Sequence, residues 1–198
     1  MTESKQDRRI LKTKSEIKQA LTELMEEKRF EAITVRDLTE RANINRGTFY
    51  LHYQDKYDLL EQCEDEIIKN IVEHVRDLQV QDVEMTIAKD KPFPFIIKVF
   101  EYIQKNADFL RAALGPNGDP SFQEKIKDMM IQNFFIKLGN FNTTVPFEIL
   151  TTYISSAHLG IIQYWVNTGM KQSPEEMASI LFRITTKGPV ETIIFDKK

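Results

Sequence analysis

An all-α fold is what this sequence predicts, and three observations carry that prediction. Apolar residues recur at three- and four-residue spacing through most of its length, which is the signature of one-sided helices. Only seven glycines and seven prolines interrupt 198 residues, and several of the prolines stand where a helix would begin. No stretch alternates apolar and polar residues in the manner of a strand, and there is no internal repeat or low-complexity tract. The architecture expected is a small N-terminal three-helix unit joined by a fourth helix to a larger helical body.

The first helix is expected over residues 8–28, where Ile17, Ala20, Leu21, Leu24 and Met25 share one face and Lys18, Glu23, Glu26 and Glu27 the other. Phe30 follows as an apolar plug. In TVRDLTERA, Thr34 and Asp37 make a hydroxyl-x-x-acid start signal: the hydroxyl caps free backbone N–H groups and the acid favours the positive helix end. Val35, Leu38 and Ala42 then fall on one face of a short second helix. Asn43-Ile44-Asn45 ends it, and Asn45 is suited to cap a third helix, taken over Arg46 to Tyr53. Two short helices across a three-residue turn have the layout of a helix-turn-helix.

A fourth helix begins near Lys56 and runs to about Gln79 on a stripe of Tyr57, Leu60, Ile67, Ile71, Val75 and Leu78. Val80 to Pro94 reads as a loop. Further helices are expected at 94–106, 108–114, 120–138, 146–168 and 174–186, with Asp108, Ser121 and Ser173 as caps and Pro120, Pro146 and Pro174 at helix starts. GPNGDP, Gly115 to Pro120, is the clearest loop signal.

Composition narrows the function classes. At 41% hydrophobic and 29% charged, the chain is too apolar for disorder. Its net charge of −3 argues against coating nucleic acid everywhere but leaves room for a local basic patch. The positive charge gathers at the N-terminal end, where Lys5, Arg8, Arg9, Lys12, Lys14 and Lys18 face only Glu3, Asp7 and Glu16. A single cysteine, Cys63, rules out an internal disulfide and suits a reducing cytoplasm. No signal-peptide core or uncharged membrane-length run is present, so a cytoplasmic protein is expected. An enzyme is not expected, nor is a cofactor or a metal. No phosphate loop or dinucleotide glycine pattern occurs, and Phe49, Ile71 and Ser155 stand three residues before the three histidines, where a di-metal helix would need glutamate.

The stretch NINRGTFYLHYQDK carries the densest chemistry. Phe49 and Tyr53, four apart, share one face and can pack inward. Arg46, Gly47, Thr48, Tyr50 and His52 are left for the outer and flanking sides. Arginine suits a guanine edge or a phosphate, threonine a phosphate or a thymine methyl, and the tyrosine and histidine tips suit phosphate oxygens. Gly47 costs roughly 1 kcal/mol of helix propensity, which close approach of another backbone would justify. Lys56 stands on the same flank, suited to grip a phosphate backbone. The bland alternative is a set of half-buried aromatics with wet tips.

AITVRDLTERANINRGTFYLHYQDKYDLL resembles the DNA-binding segment of the TetR family of bacterial repressors in residue type, order and spacing, over about residues 8–68. The resemblance implies a DNA-binding domain at 8–68, whose third helix enters the major groove, and a helical effector-binding and dimerisation domain at 69–198. By position, Thr34 and Arg36 would touch DNA from the second helix, although Thr34 also reads as a cap and Arg36 as a solvated charge. Asn45, Arg46, Gly47 and Thr48 would approach bases and backbone, and Tyr50, His52 and Lys56 would clamp phosphates. NADFLRAALGPNGDPSFQEKI and YISSAHLGIIQYWVNTGMKQSPEEMA resemble a TetR C-terminal subfamily that includes regulators similar to the dihydroxyacetone-kinase activator.

That likeness implies a homodimer built from the last two long helices. Ser156 and Gly160 fit such an interface by size, and Ile161 and Trp165 by apolar area. It also implies a small-molecule effector, with Tyr102, Phe109, Met129, Met130, Phe134, Tyr153 and His158 as candidate lining groups. The function implied is a sequence-specific DNA-binding regulator, a repressor released from a palindromic operator on double-stranded DNA. The alternative is a coactivator or adaptor of the same fold controlled by a partner protein.

Overall fold

The computed structural model describes residues 5–76, 90–136 and 144–192. Among these there is no strand, as the sequence predicts. The helices are α1 (Lys5–Glu27), α2 (Val35–Arg41), α3 (Arg46–Tyr50), α4 (Lys56–Val75), α5 (Pro94–Lys105), α6 (Ala107–Leu114), α7 (Pro120–Met130), α8 (Phe147–Asn167) and α9 (Pro174–Glu191). A 3-10 turn, Phe30–Ala32, lies between α1 and α2, and a π-helical stretch, Ile131–Ile136, continues α7.

The chain divides into two compact units. One comprises the described residues up to Ile67 together with Asp108–Phe122, and the other Ile68–Ala107 with the described residues from Gln123 onward. In the first unit Ile17, Ala20, Leu21, Leu24 and Met25 of α1 are all buried, with Phe30, Leu38, Phe49, Tyr53, Leu59, Leu60 and Cys63. Arg41 joins α2 to α1 through Glu23 at 3.2 Å and Glu27 at 2.9 Å. The α4 stripe departs from expectation at its start: Tyr57 is exposed, and Leu59 and Cys63 take the inward positions. Residues 77–79 at the end of the expected fourth helix, Leu78 among them, and 80–89 of the expected loop lie outside the described residues.

The segment Asp108–Phe122, which the sequence reading groups with the helical body, belongs to this first unit. Its α6 buries Phe109, Leu110, Ala112, Ala113 and Leu114, and Phe122 is fully buried. Arg111 reaches Glu26 of α1 at 3.2 Å, and the Phe30 N–H donates to the Asn117 carbonyl at 2.9 Å. The cap of α7 is Asp119 and not Ser121: its carboxylate accepts from the Ser121 N–H at 2.9 Å and the Ser121 hydroxyl at 2.8 Å. Asp108 sits inside the first turn of α6, paired with Arg111 at 2.6 Å.

In the second unit α5 packs on α9 and α8 on α9. Trp165 is fully buried, edge-on to Phe100 at 5.3 Å, and its indole N–H donates to the Gln172 carbonyl at 3.0 Å. Phe93 meets Phe182 at 5.9 Å. Ser173 caps α9 as expected, its N–H donating to Glu176 at 2.7 Å and its hydroxyl accepting from the Glu176 N–H at 3.3 Å. Regular geometry in α9 breaks at Gly188, where φ is 77°.

Candidate nucleic-acid interface

Local chemistry builds the helix-turn-helix residue by residue. Thr34 and Asp37 form a reciprocal cap: the Thr34 hydroxyl accepts from the Asp37 N–H at 3.1 Å, and the Asp37 carboxylate accepts from the Thr34 N–H at 2.9 Å. Lys28 adds an ion pair to Asp37 at 2.7 Å. The Lys28 ammonium, with the Thr34 N–H and hydroxyl behind it, holds the Asp37 carboxyl at about 2, so the cap stays ionised at any physiological pH.

The turn that follows is a Schellman closure. The Ile44 N–H donates to the Thr39 carbonyl at 3.0 Å and the Asn43 N–H to the Glu40 carbonyl at 3.2 Å. Asn43 takes a left-handed φ of 51°, a conformation asparagine accepts more readily than most side chains. Asn45 then caps α3, its side-chain oxygen accepting from the Thr48 N–H at 2.8 Å and the Thr48 hydroxyl at 3.1 Å.

α3 ends at Tyr50, three residues short of the expected Tyr53. Helical bonding still carries the chain on, since the Tyr53 N–H donates to the Phe49 carbonyl at 3.1 Å. Phe49 and Tyr53 are therefore on one face, 0% and 5% exposed, with ring centres 5.6 Å apart. That buried pair orients everything else on the helix. Arg46, Gly47 and Tyr50 are exposed, and Thr48 and His52 are half-buried.

Two N–H groups of the Arg46 guanidinium donate to the Tyr50 hydroxyl at 3.0 and 3.3 Å, with the guanidinium 5.4 Å from the ring centre. A guanidinium has five N–H donors, so three remain for a phosphate or a base edge. The paired bonds to the tyrosine hydroxyl preset their plane. Arg36 is exposed on α2 and held by Glu40 at 2.7 Å. A Cβ added at Gly47 would meet Asn45 Oδ1 at 3.2 Å and no other atom within 4 Å, so its outward side is open.

Lys56 is placed differently from the expectation of a phosphate clamp. Its ammonium donates to the carbonyls of Phe30 at 3.0 Å, Glu31 at 2.7 Å and Ile33 at 2.8 Å. Those three bonds use all three of its N–H donors. The side chain ties the start of α4 to the turn before α2 and leaves no donor for DNA. Leu51, which the sequence reading passed over, is 80% exposed just after α3.

The residues expected around an effector fall in both units. Phe109 packs in the first unit, edge-on to Phe122 and beneath the Lys18 ammonium at 5.3 Å. Tyr153 is 57% exposed on the outside of α8. Tyr102 is half-buried beside His74, Met129 is buried, and Met130 is half-buried. Phe134 lies where side chains are not described. The His158 ring nitrogen is 3.0 Å from the Thr185 hydroxyl, and burial pushes its pKa down to about 4, so it is a neutral hydrogen-bonding group at pH 7.

Of the residues expected at a dimer interface, Ser156 and Gly160 are exposed and Ile161 is half-buried. Trp165 is corrected: it is a core residue of its own unit, walled by Phe100. Among the described residues no group of three or more His, Cys, Asp or Glu could hold a metal ion, and no helix is long and apolar enough to cross a membrane.

Known proteins match both parts of the chain. Residues 17–63 match the family described as bacterial regulatory proteins, tetR family, and residues 90–187 match a transcriptional regulator C-terminal region. A protein of Bacillus subtilis (strain 168), named as the uncharacterized HTH-type transcriptional regulator YxbF, is 27% identical over 175 residues, or 87% of this chain. The chain spans 44% of that relative's length. The TetR transcriptional regulator from Streptococcus agalactiae 2603V has the same fold at a TM-score of 0.63 and 22% identity, covering 91% of this chain and 97% of that one. The dihydroxyacetone kinase operon activator DhaS follows at 0.55 and 18%, covering 88% and 94%. A capped third helix anchored by Phe49 and Tyr53, a helical body and two family matches that together span most of the chain lead to one conclusion: this chain belongs to the TetR family of bacterial regulatory proteins.

Proposed function

We propose that this chain is a homodimeric, sequence-specific repressor that seats two copies of α3 in successive major grooves of a palindromic operator and is released by a small molecule bound in its helical body. One observation carries the reading. Phe49 and Tyr53 fix α3 from behind while Arg46 and Tyr50, joined at 3.0 Å, stand exposed in front. Thr34, Arg36, Asn45, Gly47, Thr48 and His52 complete the surface: Thr34 and Asn45 through their caps, Gly47 through its missing side chain, the rest through polar tips.

Dimerisation supplies the second half-site, because one short helix reads only a few base pairs. The outer side of α8 supports it. Ile149 at 63%, Tyr153 at 57% and Tyr164 at 67% are exposed at helical spacing along with Ser156 and Gly160. Beside them lies an open hollow of about 320 Å³ bounded by Ala157, Gly160, Ile161, Tyr164, Met177 and Ile180, which a side chain of a second copy would fill. Tyr102, Met130 and the neutral His158 remain the candidates for effector contact.

The test is direct binding. Duplexes retained by the full chain from a random pool should converge on a two-fold sequence. Arg46→Ala should cost about 1–3 kcal/mol and relax preference at one position of each half-site. A chain that enriches no duplex at low salt, or an Arg46→Ala variant that binds like the parent, would overturn the reading.

A further inference from the structure

We infer that Leu51 is a specificity-determining residue of this interface, reading a thymine methyl group in the major groove. The inference rests on the DNA-binding function proposed above and adds an apolar base contact from the outermost side chain of this surface.

The geometry comes from the helical wheel. Leu51 keeps helical backbone angles, φ −74° and ψ −19°, and the bonds from the His52 and Tyr53 N–H groups to the Phe49 carbonyl continue the turn. At about 100° per residue, the direction midway between Phe49 and Tyr53 lies roughly 180° from Leu51. Those two side chains are buried, so Leu51 points straight away from the protein. Gly47, one turn earlier, lies on the same outer ridge. Arg46 and Tyr50 fall to one side of this ridge, Thr48 and His52 to the other. The part of α3 that would go deepest into a groove is therefore a bare backbone followed by one leucine.

At 80% exposure Leu51 is the most exposed of the large apolar side chains among the described residues. Single exposed leucines are common on protein surfaces and ordinarily need no explanation. This one stands at the crest of a surface otherwise made of hydrogen-bonding groups, where a polar residue would serve solubility better. In the major groove nearly every base edge is a donor or acceptor, and an apolar side chain placed against one desolvates it without replacing its bond. The thymine C5-methyl is the apolar exception, and burying it against Leu51 removes two apolar surfaces from water at once.

The test uses the full chain. Operators are selected from a random duplex pool with the parent and with Leu51→Ala, and affinities are then measured at one salt concentration on the parent's operator with thymidine or deoxyuridine at each T. Loss of a methyl contact predicts one T position per half-site at which deoxyuridine weakens the parent about fourfold. At that position Leu51→Ala should show neither the preference nor the deoxyuridine effect, while the preference governed by Arg46 persists. The inference is overturned if Leu51→Ala selects the parent's sequence with the same preferences, or if deoxyuridine weakens both proteins equally. If the parent itself enriches no operator, the DNA-binding reading falls, which is a different and separately visible result. Leu51 is 80% exposed and has little buried surface to lose, so misfolding does not confuse the comparison; circular dichroism of the variant checks this.

Discussion

The ammonium of Lys56 shows how a single residue can be misjudged by type. A lysine at the foot of a recognition helix suggests a phosphate, yet its three bonds to Phe30, Glu31 and Ile33 carbonyls make it a clasp between α4 and the turn before α2. Burial also lowers its pKa, in keeping with a partly desolvated charge. Lys56→Met should therefore cost about 1–3 kcal/mol of stability by leaving carbonyls without their donor. Thermal unfolding measures it. If the melting temperature stays put while DNA affinity drops and the salt slope flattens by about one unit, Lys56 is a phosphate contact after all. Residues whose role is local were readable without coordinates. Asn45, Thr34 with Asp37, and Ser173 all cap as their spacing implies, because a cap depends only on atoms two or three residues away. Lys56 reaches back 23 to 26 residues, and no local pattern signals that.

At the scale of elements, GPNGDP is more than a break between helices. The Asn117 carbonyl accepts from the Phe30 N–H at 2.9 Å, so the loop after α6 is bonded directly to the turn that leads into the helix-turn-helix. Its glycines are there for space. A Cβ at Gly115 would come within 2.7 Å of the Arg111 carbonyl oxygen, and one at Gly118 would run into the Ala113 carbonyl. Gly118→Ala must push the loop away, at a cost of about 1–3 kcal/mol, typical of an overpacked site. An unchanged unfolding midpoint in urea would show that the loop accommodates a methyl. Helix positions were largely legible from periodicity and proline placement, with most ends within a few residues. Two departures have physical causes. α3 ends early because its last turn tightens, the Leu51 and His52 N–H groups reaching the carbonyls three residues back, Thr48 at 3.3 Å and Phe49 at 3.0 Å. The stretch after Met130 widens into π-helix, which no apolar spacing announces.

For the whole molecule, the proposed dimer would pack two copies of α8 face to face and cover Ile149, Tyr153 and Tyr164, which are exposed in the single chain. Gly160 offers a clean probe, since it is exposed and nothing lies within 4 Å of an added Cβ. Gly160→Glu should place two like charges near the two-fold axis and shift the protein from dimer to monomer. Light scattering after gel filtration gives the mass. A dimer that persists removes this face of α8 from the interface.

The sequence by itself determined most of the helices, the caps of α2, α3 and α9 and the polar character of the α3 flanks, since each follows from spacing within a few residues. Tertiary structure alone decided which apolar residues were core and which were surface. Trp165 and Tyr164 are neighbours of similar kind, yet one is fully buried against Phe100 and the other is 67% exposed. It also decided that Phe109 and the rest of Asp108–Phe122 pack with the N-terminal helices. The reason is physical: helical periodicity says that a side chain lies on a given face, and only the folding of distant segments against each other says what that face meets.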